Sequence, residues 1–124
     1  MKNLPKITPA EWEVMRVLWD RGGLNMMEIE TQLEKDKGWR AYTSRTLLRR
    51  LFRKGAVSCD STRRPAIYRA GLPKEACVRE ESQSLLKRVF RGAHAPFLIN
   101  LIKEAPLTPK EIDEIKKILR EKEK

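Results

Sequence analysis

Between Lys37 and Cys59 the chain has no acidic residue, yet this stretch carries Lys37, Arg40, Arg45, Arg49, Arg50, Arg53 and Lys54. At about 100° per residue, Leu47, Leu48, Leu51 and Phe52 fall on one side, with the small Ser44 among them. Tyr42, Thr43, Thr46, Arg49, Arg50 and Arg53 fall on the other. One face can dock on a core while the opposite face offers hydroxyls and guanidiniums. Arg can grip guanine edges bidentately, Thr can take a base or a phosphate, and Lys or Arg can hold the backbone. That is the chemistry of a helix lying in a DNA major groove. Charge-rich helical faces are ordinarily solvated surface with Glu and Lys mixed. A face of one sign is a different object.

The elements that must position these residues can be read on either side. Thr8-Pro9-Ala10-Glu11 opens a helix with proline in the first turn and a Thr/Glu capping box. Trp12, Met15, Leu18 and Trp19 follow at helical spacing as core residues, and Arg21-Gly22-Gly23 stops the run. Asn25 caps a second helix with Met26, Ile29 and Leu33 facing inward and Glu28, Glu30 and Glu34 outward. The Arg-rich helix runs from about Ala41 to Lys54, closed by Gly55. Ala56–Asp60 and Ala66–Ala70 are strand-like runs flanking the turn Ser61-Thr62-Arg63-Arg64-Pro65. Cys59 and Tyr68 on these strands read as packing residues. Three helices and a basic-tipped hairpin make a winged helix-turn-helix, in which Arg63 and Arg64 reach the neighbouring backbone. The candidate DNA-binding set is Arg40, Tyr42, Thr43, Arg45, Thr46, Arg49, Arg50, Arg53, Lys54, Arg63 and Arg64.

Past the hinge Gly71-Leu72-Pro73 come three amphipathic helices, over about Lys74–Gly92, Pro96–Glu104 and the segment after Thr108. Thr108-Pro109-Lys110-Glu111 repeats the earlier cap. Together they form a thin layer, and one copy would leave an apolar stripe in water. A twofold dimer would cover it through Leu85, Leu86, Val89, Phe90, Phe97, Leu101, Ile112, Ile115 and Leu119. The expected architecture is mainly α with a small β-hairpin wing: a winged helix-turn-helix over 1–71 and a helical dimerisation domain over 72–124.

Composition narrows the function. A formal net charge of +10 in 124 residues favours a polyanionic partner. The excess is uneven, with fifteen Lys/Arg against eight Asp/Glu up to Gly71, and twelve against nine beyond it. Cys59 and Cys77 are too far apart in sequence for a metal knuckle and read as free thiols in a reducing cytosol. No apolar run reaches the ~18 residues of a membrane span, so the expectation is a soluble cytoplasmic protein without membrane insertion. His94 is the sole histidine, with no clustered ligands or base beside it, so neither a metal, a cofactor nor catalysis is expected. The competing function is a basic RNA-binding or ribosome-associated module. Such readers expose aromatics for stacking, and here only Tyr42 and Trp39 are available.

With these elements in place, Thr8–Trp19, Arg45–Gly55 and Val89-Phe-Arg-Gly92 resemble the penicillinase-repressor (BlaI/MecI) family, and the similarity runs from about Ile7 to Leu119. The resemblance implies a dimeric bacterial repressor that binds palindromic operators built around TACA/TGTA half-sites, in some cases within antibiotic-resistance systems. Thr43, Arg45, Thr46 and Arg50 match the family's recognition-helix positions. Ala41 and Tyr42 stand where the best-known members have Pro-Lys, and Arg49 stands where they have a short polar residue. The family is released from DNA by a regulatory protease cutting between Asn and Phe. The matching pair here is Asn100-Leu101, which keeps only the Asn. The Cys-x-Cys tail of the copper-responsive branch is missing from Leu119–Lys124.

Overall fold

The computed structural model describes residues 4–124; the sequence reads Met1–Ile7 as a basic, extended arm, and its first three residues lie outside the described ones. The chain runs α1 (Pro9–Arg21), β1 (Leu24–Asn25), α2 (Met26–Lys37), α3 (Ala41–Arg53), β2 (Val57–Asp60), β3 (Ile67–Ala70), α4 (Lys74–Phe90), α5 (His94–Glu104) and α6 (Pro109–Lys122). It forms two compact units, Met1–Glu81 and Ser82–Lys124.

In the first unit, each helix starts where side-chain chemistry provides for its free amides. Thr8 Oγ1 accepts from the Glu11 amide at 3.2 Å, and Glu11 Oε1 accepts from the Thr8 amide at 2.9 Å. Asn25 and Glu28 make the same reciprocal pair at the head of α2. At the end of α3, Gly55 takes φ 80°, a left-handed turn that side chains resist. That turn sends the chain into β2.

The core is one cluster that includes Val14, Met15, Leu18, Leu24, Ile29, Leu33, Leu47, Leu48, Leu51, Ala56 and Val57. It draws on α1, α2, α3 and the sheet. Trp12 and Trp19 pack edge to face beside it, centroids 5.3 Å apart. Trp19 Nε1 donates to the Leu72 carbonyl at 2.9 Å, and Cys77 in α4 is buried. These anchors lie past Gly71, and the first compact unit accordingly continues into α4 instead of stopping at the Gly71–Pro73 turn.

The sheet has three strands in the order β1-β3-β2, all antiparallel. The hairpin was expected; β1 was not. Leu24 and Asn25 pair with Tyr68 and Ile67, so the residue that caps α2 is also a strand residue. Gly23 permits the approach, because a Cβ there would sit 2.9 Å from both Arg69 and Ile67 side-chain atoms.

Within the second unit, Phe90 and Phe97 stack edge to face at 5.2 Å. Thr108 and Glu111 cap α6 reciprocally.

Candidate nucleic-acid interface

Helix α3 divides as its sequence dictates. Ser44, Leu47, Leu48 and Leu51 are buried, while Arg45, Arg49, Arg50 and Arg53 are exposed. Tyr42 stands 77 % exposed near the helix start, and Thr43 and Thr46 are half-buried beside it. The Thr46 hydroxyl donates back to the Tyr42 carbonyl at 3.0 Å, which leaves its oxygen free to accept. Arg40, just before the helix, is exposed. Arg63 and Arg64 are exposed in the β2–β3 turn. That turn is shaped by Asp60, whose Oδ1 accepts from both the Thr62 amide and the Thr62 hydroxyl. Those two bonds hold the Asp60 carboxyl below the usual aspartate range.

Two of the expected DNA-contacting residues are already engaged. Lys54 Nζ pairs with Glu11 and also donates to the Lys6 carbonyl, binding the end of α3 to the start of α1. Glu11 is only 1 % exposed. Burial pushes its carboxyl up, but the Lys54 ammonium and the Thr8 amide and hydroxyl pull harder, and the net shift is downward. Arg45, for its part, donates through Nε to Glu30 Oε2 at 2.5 Å.

That second pair corrects the reading of α2. Glu30 was expected on the outer, solvated face with Glu28 and Glu34, yet it is half-buried and turned to α3, its side chain 14 % exposed. Phe52 also departs from its projected place. It is 51 % exposed and lines, with Met26, Leu48, Arg49, Cys59 and Tyr68, an open hollow of about 180 Å³. Position 52 is on the last turn of α3, at the edge of the core, where the sheet covers only part of a ring. Cys59 and Tyr68 are cross-strand partners on this side. Burial and then the adjacent Cys59 push the Tyr68 hydroxyl up.

Ser44 is the residue whose role was least visible. Its side chain is completely buried, and its Oγ has no hydrogen-bond partner. Its small size suits a fully buried position on the helix whose other buried residues are Leu47, Leu48 and Leu51.

The second unit presents another surface. Val89, Leu98, Ile99, Leu101, Ile102, Ile118 and Leu119 are each between 44 % and 57 % exposed. Of the residues expected at a dimer interface, Leu85 and Ile112 are exposed; Phe90, Phe97 and Ile115 are half-buried; Leu86 is already buried within one chain. Asn100 and Leu101 are both exposed, in the interior of α5. Among the described residues, no helix is long and apolar enough to cross a membrane.

Three helices, a three-stranded sheet and an Arg-rich third helix beside a basic turn define the winged helix-turn-helix class. The sequence matches the penicillinase-repressor family over residues 7–121, and the chain belongs to that family. It is 32 % identical over 121 residues to the penicillinase repressor of Bacillus licheniformis, covering 98 % of this chain and 94 % of that one. Against the methicillin resistance regulatory protein MecI of Staphylococcus aureus it is 26 % identical over 117 residues, covering 94 % and 95 %. The solution structure of the DNA-binding domain of the repressor BlaI matches at a TM-score of 0.53 with 33 % identity, covering 60 % of this chain and 90 % of that domain. The monomeric form of B. licheniformis BlaI in complex with the blaP half-operator matches at 0.54 with 35 % identity, covering 60 % and 92 %.

Proposed function

We propose that this protein is a sequence-specific DNA-binding transcriptional repressor that acts as a homodimer on a palindromic operator. The observation that carries the reading is the exposed face of α3: Arg45, Arg49, Arg50 and Arg53 with Tyr42, and no acidic residue within the helix. An N-terminal reader over residues 1–71 would place the first turns of α3 in the major groove, with Arg63 and Arg64 on the adjacent backbone. Kinship with proteins named as repressors supports it, as does the likeness to a structure solved on a half-operator. An RNA reader is disfavoured because Tyr68 packs against the core and leaves the sheet without a stacking platform.

Residues 72–124 would supply the twofold contact. The apolar side chains left exposed on α4, α5 and α6 are numerous for a monomer. A symmetric pair of α3 helices requires a palindrome, and the TACA/TGTA pattern is the first to try. Occupying such a site would exclude polymerase by occlusion. Cleavage at Asn100-Leu101 would require α5 to unwind locally, because the bond lies inside the helix. Intact-mass analysis after induction would find a fragment ending at Asn100, and uncut protein under inducing conditions would dismiss this part.

Fluorescence anisotropy at about 0.15 M salt tests the whole reading, comparing a TACA/TGTA palindrome, a scrambled duplex and single-stranded RNA. The expected result is a duplex preference of ~10³-fold or more with two chains per duplex. Equal binding to all three would overturn the repressor assignment. Arg50→Ala should relax sequence preference, whereas Arg63→Ala should weaken all duplexes alike and lower the salt slope by about one unit.

A further inference from the structure

The Glu30–Arg45 pair is unlike the other ion pair among the described residues. In the Lys54–Glu11 pair the carboxylate is buried and the cation is taken up in holding helix ends together. In this one the carboxylate is mostly covered, with 14 % of its side chain exposed, while the Arg45 side chain is 54 % exposed. Glu30 meets only Nε of the guanidinium. Among the described residues neither terminal nitrogen of Arg45 has a hydrogen-bond partner, so both keep their donors available at the rim of the hollow lined by Met26, Leu48 and Phe52.

We propose that Glu30 is a positioning residue that holds Arg45 as a preset reader of one guanine in the operator. This rests on the DNA-binding reading above and deepens it. Three observations combine. Arg45 sits in the second turn of α3 (its first residue is Ala41), the end that meets base edges in this class of fold. Bidentate recognition of guanine O6 and N7 needs a planar pair of donors at fixed orientation, which two terminal guanidinium nitrogens supply. An arginine on a free surface samples many rotamers, and a carboxylate clamped to Nε removes much of that freedom before DNA arrives. Arg49 and Arg50, by contrast, have no ion-pair partner among the described residues. Without such a clamp they suit phosphates or a second, adaptable base contact.

The test uses the full chain and a random-sequence duplex selection, followed by competition anisotropy with single-base variants of the selected site. Wild type, Glu30→Ala, Glu30→Gln, Arg45→Lys, Arg45→Ala and the Glu30→Ala/Arg45→Ala double variant are compared, with thermal melting of each as the folding control. The expected result is one guanine position whose preference falls about tenfold or more in Arg45→Ala. Glu30→Ala should lose preference at that same position with the salt slope unchanged, and the double variant should be no worse than Arg45→Ala. Arg45→Lys should keep the salt slope and lose the preference. Glu30→Gln retains a carbonyl acceptor for Nε and should fall between wild type and Glu30→Ala, so it serves even if the alanine variant folds poorly. Preferences in both Glu30 variants identical to wild type would make the pair structural only and overturn the proposal. A Glu30→Ala variant that binds every sequence more tightly, with a steeper salt slope, would show that Glu30 masks Arg45 and would overturn it too. If wild type itself selects no sequence, the repressor reading fails and takes this inference with it, an outcome distinct from the other two.

Discussion

Lys54 shows how one side chain can look like a DNA contact and serve the fold. It ends the most basic run in the chain, yet its ammonium neutralises a carboxylate that has almost no access to water. Lys54→Ala would leave Glu11 buried and unpaired, at a cost of about 2–4 kcal/mol. The pH dependence follows from the direction of the Glu11 shift. Because the folded carboxyl lies below its unfolded value, its stabilisation is present above the ordinary glutamate range and is lost as pH falls through the folded value. The difference between wild type and Lys54→Ala, measured by urea titration, should therefore shrink from pH 7 towards pH 4. Ser44 makes the opposite kind of prediction. Removing an unsatisfied buried hydroxyl should be neutral or stabilising by up to about 1 kcal/mol in Ser44→Ala, while Ser44→Leu overpacks the site and should cost more than about 2 kcal/mol. The first follows from a partner distant in sequence, Lys54 and Glu11 being 43 residues apart, and the second from the absence of one for the Ser44 hydroxyl. Periodicity reports which face a residue is on, not which partner waits there, and Glu30 was misplaced for the same reason.

Elements were far more legible than partners. The caps at Thr8, Asn25 and Thr108 mark helix starts because their chemistry is local, complete within four residues, and all three form as read. Strand β1 escaped because two residues have no period; only the Gly22-Gly23 pair before Leu24 hinted that a backbone would come close. The two Thr-Pro-x-Glu caps provide a matched comparison. Thr108→Ala removes an exposed cap and should cost about 1 kcal/mol. Thr8→Ala should cost more, because the Thr8 hydroxyl also helps hold the buried Glu11 carboxyl in its charged form. Thermal melting of both variants under one condition would reveal the ordering, and equal losses would mean that Glu11 draws nothing extra from Thr8.

For the whole molecule, the proposed homodimer would tie the apolar surface of the second unit to the basic surface of the first. Ile102→Glu, placed on the exposed apolar side of α5, should give a monomer by sedimentation and a loss of palindrome preference, with isolated half-site binding retained. Helical spacing makes that apolar stripe legible, Leu98, Ile102 and Ile118 included; Ile99 falls outside the spacing and is equally open, 52 % exposed. The basic face has its own consequence when DNA is absent. Arg49, Arg50 and Arg53 crowd like charges onto less than two turns of α3, with Arg40, Arg63 and Arg64 elsewhere on the same unit and none of these six ion-paired among the described residues. Their mutual repulsion is relieved by the anions of added salt. Raising ionic strength should therefore lift the melting temperature of the free protein while loosening its complex with DNA, and an operator duplex should raise that temperature most in dilute buffer, where the free chain is least at ease with its own charge.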